Sequence, residues 1–309
     1  FFPQYAKGLL ESVGQGFEQC TVYAGETGAI EISMRAAMDA YFAYLFAGML
    51  RRMACKVRPY EVRAGQTDAA VASGLELFIE AILGRRGRLE TTREVVQRFL
   101  DIEVEGDPRP QVALFGDLYA RDNDVLNQDL VRMIEEHGGE VLTTPYTEYS
   151  RIIAKPYLKK WMREGLYKDV AIAAPLLLGV DVLERRFAKE FNKVIGRPKS
   201  VKRQPKAEDL LARFGVRMHH TGESFDNLLK IFHLVARYPD LSLFVQTNPA
   251  FCCASIVTEA MAADIEKATG VPVVSVNYDG TASNKNDVLI PYLELACRRR
   301  VREKGAEGS

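Results

Sequence analysis

The feature that most constrains the fold is a change of pattern near residue 107. From there, four short apolar runs, at 111–115, 140–144, 241–246 and 271–277, are separated by longer segments with helical spacing. Buried strands that alternate with helices are typical of α/β proteins with a parallel sheet. The sequence therefore predicts a four-stranded parallel sheet within residues 107–309.

Helical segments fill the intervals between these strands. They are predicted at about 123–137, 255–268 and 285–301, and a long helical insertion at about 147–238 follows the second strand. The Gly138-Gly139 pair ends the first of these helices, as glycine commonly does. Strands joined by helical crossovers indicate an α/β, flavodoxin-like doubly wound parallel sheet with a helical insertion.

Residues 1–106 have a different pattern, with apolar residues at helical spacing. A short strand is predicted at 20–24, and helices at about 68–84 and 90–101, the second with Thr91 or Thr92 as its N-cap. The segment EGDPRPQ at 105–111 carries two prolines, so we place a domain boundary there. The chain opens on Phe inside an apparent amphipathic helix, and we expect 1–106 to be the remainder of a larger domain.

Charge and hydropathy exclude several function classes. Forty-one basic residues balance forty-one acidic ones, which gives no net field to attract nucleic acid or an anionic membrane. The longest apolar stretch, 170–182, is interrupted by Pro175 and Asp181 and is far shorter than the roughly 20 residues of a membrane span. Five cysteines and a start without a signal peptide indicate a reducing cytoplasmic compartment.

Two basic runs break the even distribution of charge. One comprises Arg185, Arg186, Lys189, Lys193, Arg197, Lys199, Lys202 and Arg203, and the other Arg298, Arg299, Arg300, Arg302 and Lys304. One interpretation of these runs is a solvated helix face and a charged tail. The other is a docking patch for an acidic partner or a phosphate-bearing ligand.

Three polar loops are predicted at the carboxyl edge of the sheet, where open parallel sheets bind ligands. Their sequences are GDLYARDN at 116–123, TNPAFCC at 247–253 and NYDGTASNKN at 277–286. Each precedes a helix whose N-terminus favours negative charge. We expect the three loops to converge on one site.

Cys252 and Cys253 are the most specific chemical signal at this edge. A helix N-terminus lowers the pKa of a thiol and favours the thiolate, which ligates metals or attacks electrophiles. Cys55 and Cys297 are predicted to be core cysteines. One cysteine pair does not complete a zinc or 4Fe-4S site, and no C-x-x-C motif is present, so spacing alone leaves metal binding open.

The histidine pair His219-His220 lies just before Glu223. Acid–base work by Glu223 or His220 is one interpretation, and helix capping or surface polarity is the other. No Walker loop, G-x-G-x-x-G or Ser–His–Asp order is present.

Several motifs together resemble one family. They are PQVALFGDLYARDN at 110–123 with Asn127, EHGGEV at 136–141, Gly222-Glu223, NPAFCC at 248–253, GVPVV at 270–274 and YDGT at 278–281. In this combination they are similar to signatures of the 2-hydroxyglutaryl-CoA dehydratase D-component and benzoyl-CoA reductase family. RPYE at 58–61 and GQTD at 65–68 resemble the branch associated with CoA-enzyme activases.

The resemblance implies an iron–sulfur protein with a 4Fe-4S or related cluster. An ATP-dependent activase would inject a low-potential electron for radical chemistry on an acyl-CoA thioester. Cys252 matches the position of a cluster ligand, and Cys253 would be an alternative ligand or a nearby thiol. The other cluster cysteines belong to an N-terminal domain that this chain mostly lacks, so we expect the cluster here to be incomplete or absent.

The remaining predicted site residues surround Cys252. Arg121, Asn123, Tyr278, Asp279 and Thr281 are expected to line the site, with Cys252 facing it and Cys253 pointing partly into the packing of the following helix. Two further interpretations stay open. One is an electron-transfer or scaffold module that docks an activase, and the other is a metal-free flavodoxin-like domain that binds a small anion at the same loops.

Overall fold

The computed structural model describes residues 2–22, 33–199, 205–217 and 222–307. The chain forms two compact units, Phe1–Ala43 and Tyr44–Ser309, and the linker at 105–111 lies within the second. The domain boundary at residue 107 stays a prediction.

Helices account for most of the described residues. They are α1 (Phe2–Val13), α2 (Met34–Val57), α3 (Gln66–Ile82), α4 (Arg88–Leu100), α5 (Leu118–Asp122), α6 (Leu130–Glu136), α7 (Tyr146–Arg163), α8 (Tyr167–Ile195), α9 (Ala207–Ala212), α10 (Glu223–Arg237), α11 (Cys253–Ala260), α12 (Ala262–Thr269) and α13 (Ile290–Glu307). Short 3₁₀ turns are formed by Phe17–Gln19, Arg58–Tyr60 and Asn286–Leu289.

The sheet has four strands, β1 (Gln111–Gly116), β2 (Glu140–Leu142), β3 (Leu241–Pro249) and β4 (Val273–Tyr278). Their order is β2-β1-β3-β4, and all pairs are parallel. Ala113 pairs with Leu142 on one side and Phe244 on the other. The predicted mixed α/β architecture with a four-stranded parallel sheet is confirmed, and α7 to α10 form the helical insertion between β2 and β3.

Both faces of the sheet are covered by apolar side chains. On one face Ala113, Phe115 and Phe244 pack with Leu228 and Ile231 of α10. On the other, the set includes Val112, Leu114, Val245, Ile134 of α6, Leu293 of α13 and Cys55 of α2. Val112 to Phe115 are fully buried because a parallel strand enclosed on both faces needs consecutive apolar residues.

Some predicted elements are wrong in detail. Residues 20–22 have no regular secondary structure, so the strand predicted at 20–24 is wrong there, and residues 23 and 24 lie outside the described part. Helix α4 begins after Gly87, and Thr91 and Thr92 are buried inside it instead of capping it. The helix predicted at 255–268 is two helices that meet at Met261.

The helix predicted at 123–137 forms only over Leu130–Glu136, because residues 124–129 are a turn. Gln128 and Asp129 both have φ of 55°, a left-handed conformation that ends helical geometry. Asn127 explains the turn, because its side-chain amide donates to the carbonyl of Ala120 at 2.9 Å and its Oδ1 accepts from the amide of Leu130 at 3.1 Å. Polar side chains that bond the local backbone compete with helix in this way.

None of the described helices combines the length and the apolar character that crossing a lipid bilayer requires.

Candidate functional site

The three predicted loops meet at the carboxyl edge of the sheet. The amide of Asp117, after β1, donates to the carbonyl of Thr247 in β3 at 2.9 Å. The amide of Ala250, after β3, donates to the carbonyl of Tyr278 at the end of β4, also at 2.9 Å. The side chain of Gln128 accepts from the amide of Lys285 at 2.7 Å. These bonds tie the loops together, as their sequence positions predicted.

Gly116 permits the close approach of the first two loops. Its φ is 103°, and a Cβ at this position would lie 2.4 Å from the carbonyl oxygen of Thr247. Any side chain here would therefore push β1 away from β3.

The third loop is stabilised by its own polar groups. The carboxylate of Asp279 accepts from the amide and hydroxyl of Thr281 at 3.0 and 2.7 Å and from Lys285 Nζ at 2.9 Å. The bonds from Thr281 and Lys285 hold the pKa of Asp279 well below its usual range. Asp279 and Thr281 are exposed at the loop surface with these bonds already made.

Tyr278 and Asn123 hold the loops in place. Tyr278 is buried, its hydroxyl donates to Asn286 Oδ1 at 2.9 Å, and burial raises its pKa. Asn123 Oδ1 accepts from the amide of Leu126 at 2.9 Å. Through these bonds both side chains stabilise the loops at the carboxyl edge of the sheet.

Cys252 is the N-cap residue of α11 and follows directly after a tight turn. Its amide donates to the carbonyl of Pro249 at 3.2 Å, and its own carbonyl accepts from the amide of Ile256 at 3.0 Å. Phe251 has φ of 63° and is 91% exposed. A non-glycine residue in this region is strained, and such strain is common beside functional groups.

The thiol of Cys252 lies in a group of acidic side chains that we call the thiol–carboxyl cluster: Cys252, Glu223, Asp117, Asp226 and Tyr149. Cys252 Sγ is 3.9 Å from Glu223 Oε2, and Tyr149 Oη donates to Asp226 Oδ2 at 2.5 Å. Burial, with the nearby charges of Asp117 and Asp226, raises the pKa of Glu223. Burial also raises the pKa of Asp226. These acids can hold protons beside the thiol at higher pH than ordinary carboxyl groups.

The two neighbouring cysteines differ in environment. Cys252 is half-buried, facing Glu223, whereas Cys253 is exposed. The expectation that Cys253 points into the helix packing is therefore wrong. Cys253 is the first residue of α11, and its side chain extends to solvent from the first helical turn.

Cys55 and Cys297 lie elsewhere. Cys55 is 1% exposed in the apolar layer beneath the sheet, where burial raises the pKa of its thiol to about 12. Cys297 is half-buried, with Sγ 3.7 Å from the carbonyl of His137 just before β2, at the amino edge of the sheet. Neither thiol is placed to join Cys252.

The donor set at the carboxyl edge does not fit a complete iron–sulfur cluster. Within the residues that the structure describes, no group of three or more His, Cys, Asp or Glu side chains is arranged to hold a metal ion. A 4Fe-4S cluster needs about four ligands, most often cysteine thiolates. Cys252 is one cysteine at this edge, and Cys253 lies beside it facing solvent.

Arg121 is placed differently from the prediction that it lines the open site. It is fully buried, and its guanidinium bonds to Asp122 at 2.7 Å while Nη1 has no partner among the described residues. Arg121 acts electrostatically on Lys230 of α10, which is 1% exposed and whose Nζ is also unpartnered. Burial, together with the charge of Arg121, lowers the pKa of Lys230 well below its usual 10.5.

The importance of α10 was missed by sequence reasoning. Residues 225–231 are all buried, which covers nearly two turns of the helix, so no side of it faces solvent there. Asp226 and Lys230 have the spacing of an exposed ion pair, yet both are buried. No signal in the sequence marks this burial, because the polar residues of α10 form a stripe at helical spacing, as on a surface helix: Glu223, Asp226, Asn227, Lys230, His233 and Arg237.

A cleft of about 620 Å³ opens beside α7 and α10. Its charged lining contains four arginines and two glutamates: Arg52, Arg151, Arg197, Arg237, Glu148 and Glu184. Arg197 belongs to the first basic run, whose Lys202 and Arg203 lie outside the described residues. His219, His220 and Thr221 also lie outside them.

Comparison with known proteins adds no family at this point. No protein-family model, no curated protein and no solved structure matches this chain.

Proposed function

We propose that this chain is the iron–sulfur component of a 2-hydroxyacyl-CoA dehydratase-like system, in which Cys252 supplies one ligand of the cluster. The observation that carries this proposal is the position of the Cys252 thiol. It is the N-cap residue of α11, at the carboxyl edge where three loops meet, and faces Glu223. This is the position that the family resemblance assigns to a ligand cysteine.

The order of the strands in the parallel sheet supports a flavodoxin-like fold. The strand order β2-β1-β3-β4 agrees with the first four strands of a flavodoxin-like sheet, in which the switch point lies between β1 and β3. Gly116 and Cys252 follow these two strands. We propose that this domain is flavodoxin-like and works in the reducing cytoplasm.

We infer that the remaining cluster ligands come from outside the group of side chains around Cys252. Cys252, with the exposed Cys253 beside it, is an incomplete ligand set, and a second protein domain or subunit would have to bring the rest. Cys253 and Phe251 are exposed at this edge, which is compatible with binding of that domain or subunit here. The partners implied by the resemblance are an ATP-dependent activase and an acyl-CoA thioester.

Iron content tests the proposal. Full-length protein, produced and purified anaerobically with its activase, is expected to be brown and to contain iron. Cys252→Ala should lose the iron, because a thiolate ligand has no substitute at that position. Cys253→Ala should keep the iron and shift the reduced-state EPR signal slightly.

Cys297→Ala is the matched control, since it removes a thiol at the opposite edge of the sheet and should change neither iron content nor spectrum. Iron retained in Cys252→Ala contradicts the ligand assignment. Absence of iron from the wild-type protein contradicts both cluster interpretations, the enzyme component and the electron-transfer or scaffold module. Turnover of 2-hydroxyacyl-CoA esters with activase and ATP separates those two.

A metal-free, small-anion-binding domain is the second candidate. Its supporting observation is that two buried cationic atoms, Arg121 Nη1 and Lys230 Nζ, have no hydrogen-bond partner among the described residues. Anion binding by a protein that holds no iron would favour this candidate.

A further inference from the structure

Two cationic side chains are buried next to each other without sufficient partners. Arg121 is 0% exposed and Lys230 is 1% exposed. Within the described part of the chain, Arg121 Nη1 and Lys230 Nζ have no hydrogen-bond partner. Buried lysine and arginine are rare without a compensating group, because an unpaired charge in the interior is costly.

The nearby carboxylates are already engaged. Besides Arg121, the groups that act on Lys230 are Asp122 of α5 and Glu148 of α7. Asp122 holds the guanidinium of Arg121 at 2.7 Å and lies 3.8 Å from Arg51. Glu148 holds Arg52 at 2.5 Å. Neither carboxylate is left to neutralise Lys230.

Other buried donor groups of the described residues also lack hydrogen-bond acceptors. Asn227 Nδ2 lies one turn before Lys230 on α10, and Thr143 Oγ1 and Thr144 Oγ1 follow the carboxyl end of β2. All three have no partner among the described residues. The unpartnered acceptor in this part of the fold, Asp226 Oδ1, belongs to the thiol–carboxyl cluster.

We propose that Arg121 and Lys230 form a binding subsite for a small oxyanion, either a carboxylate or a tetrahedral dianion such as sulfate or phosphate. A guanidinium and an ammonium group both bind oxyanions by charge-assisted hydrogen bonds. The side-chain amide of Asn227, one turn before Lys230 on α10, is a further donor to the same ligand. The subsite is independent of the cluster proposed at Cys252.

We infer that the anion enters through the cleft beside α7 and α10, whose lining does not include Arg121 or Lys230 themselves. Glu148 lines this cleft and also acts on Lys230. Arg151, Arg197 and Arg237 line the same cleft, so its charged side chains have an excess of positive charge. An anion entering the cleft is attracted toward the buried pair.

Isothermal titration of the full-length protein with sulfate and, separately, with glutarate tests the proposal at constant ionic strength. Wild-type protein should bind at least one of the two at a single saturable site. Sulfate alone indicates a tetrahedral ligand, and glutarate alone a carboxylate. Lys230→Met should weaken binding by at least about tenfold, the effect expected for loss of a bond between charged groups.

Lys155→Met is the matched control, because Lys155 is an exposed lysine of α7 and its removal should leave the affinity unchanged. Equal affinity in Lys230→Met and wild type overturns the proposal. So does the absence of saturable binding of both anions by the wild type.

Proton uptake gives a second readout that needs no variant. Between about pH 7 and 10 both anions are fully ionised, so a proton taken up on binding reports a lysine that becomes charged. Titrations in two buffers of different ionisation enthalpy should show uptake that rises with pH toward one proton per anion. Binding without proton uptake over this whole range overturns the assignment to Lys230.

Discussion

The charged side chains of α2 and those beside α10 differ in how they are paired. On α2, Arg52 pairs with Glu148 at 2.5 Å, and Lys56 pairs with Glu140 at 2.9 Å. Beside α10, Arg121 is only partly paired and Lys230 has no partner among the described residues. The α2 charges join the helix to the elements around the sheet, whereas the pair beside α10 makes no equivalent connection.

The comparison shows when the fold itself accounts for a buried charge, namely when an oppositely charged side chain lies next to it. Although burial by itself would raise the pKa of Glu148, the charge of Arg52 and the bond from His233 hold it well below its usual range. This carboxylate stays ionised because its partner is already in the fold. Lys230 has no partner among the described residues, so a ligand is the group that would make its charge stable.

The largest change in stability is expected when the buried ion pair between Arg52 and Glu148 is broken. Arg52→Met should destabilise the protein by about 3 kcal/mol, because buried Glu148 loses its closest cation and keeps the longer contacts to His233 and Arg237 at 3.8 and 3.9 Å. Urea unfolding of variant and wild type measures the difference. Arg98→Met, which removes a partly exposed partner of Glu94, should cost less than about 1 kcal/mol. Equal losses in the two variants would contradict a special role for the buried pair.

A smaller change in stability, of opposite sign, is expected when Lys230 is replaced. In buffer without oxyanions, Lys230→Met should stabilise the protein by about 1–3 kcal/mol, since it removes an uncompensated buried cation. Below the folded-state pKa of Lys230, burial costs its full penalty. As the pH rises from that value toward about 10.4, the unfolded state binds the extra proton and the wild type regains stability.

The stabilising effect of Lys230→Met should therefore be largest at low pH and should shrink as the pH rises. Arg121, Asp122 and Glu148, which act on Lys230, are present in both proteins. Unfolding free energies at a series of pH values decide this. A stabilisation that does not change with pH, or a destabilisation at every pH, would mean that Lys230 is not a strained cation.

The smallest effect is expected at Lys56. Lys56→Met should destabilise by about 1 kcal/mol, because Glu140 keeps its bonds from the hydroxyl of Tyr60 at 2.7 Å and from Gln111 at 3.2 Å. The partial exposure of Lys56 also weakens its contribution. A loss as large as that of Arg52→Met would show that the remaining bonds do not support Glu140.

The strands and the edge loops could be predicted from the sequence because both depend on local pattern. Consecutive apolar residues such as those at 112–115 have few alternatives to a buried parallel strand. Cys252 was located correctly because strand, proline, cysteine and helix follow one another along the chain. The turn at Gln128 and Asp129 was missed because it depends on how one side chain, Asn127, bonds the backbone on both sides.

The buried cations could not be located in the same way. A lysine four residues after Asp226 looks like one half of an exposed helical ion pair. Its burial follows from the elements that enclose α10, and which elements pack on a helix is a tertiary property. Arg121 was predicted to line the open site but is buried. The position of a residue along the chain does not fix the direction of its long side chain.

The ionisation of Lys230 in the wild-type protein tests most directly whether the unpaired cations belong to a ligand site. NMR spectra of protein with ¹³C,¹⁵N-labelled lysine follow the side-chain amine of Lys230 as the pH is varied. Without oxyanion, Lys230 should titrate well below 10.5, and saturating sulfate or glutarate should move the titration to higher pH. An ordinary titration near 10.5 without anion, or a low one that neither anion moves, would contradict the assignment.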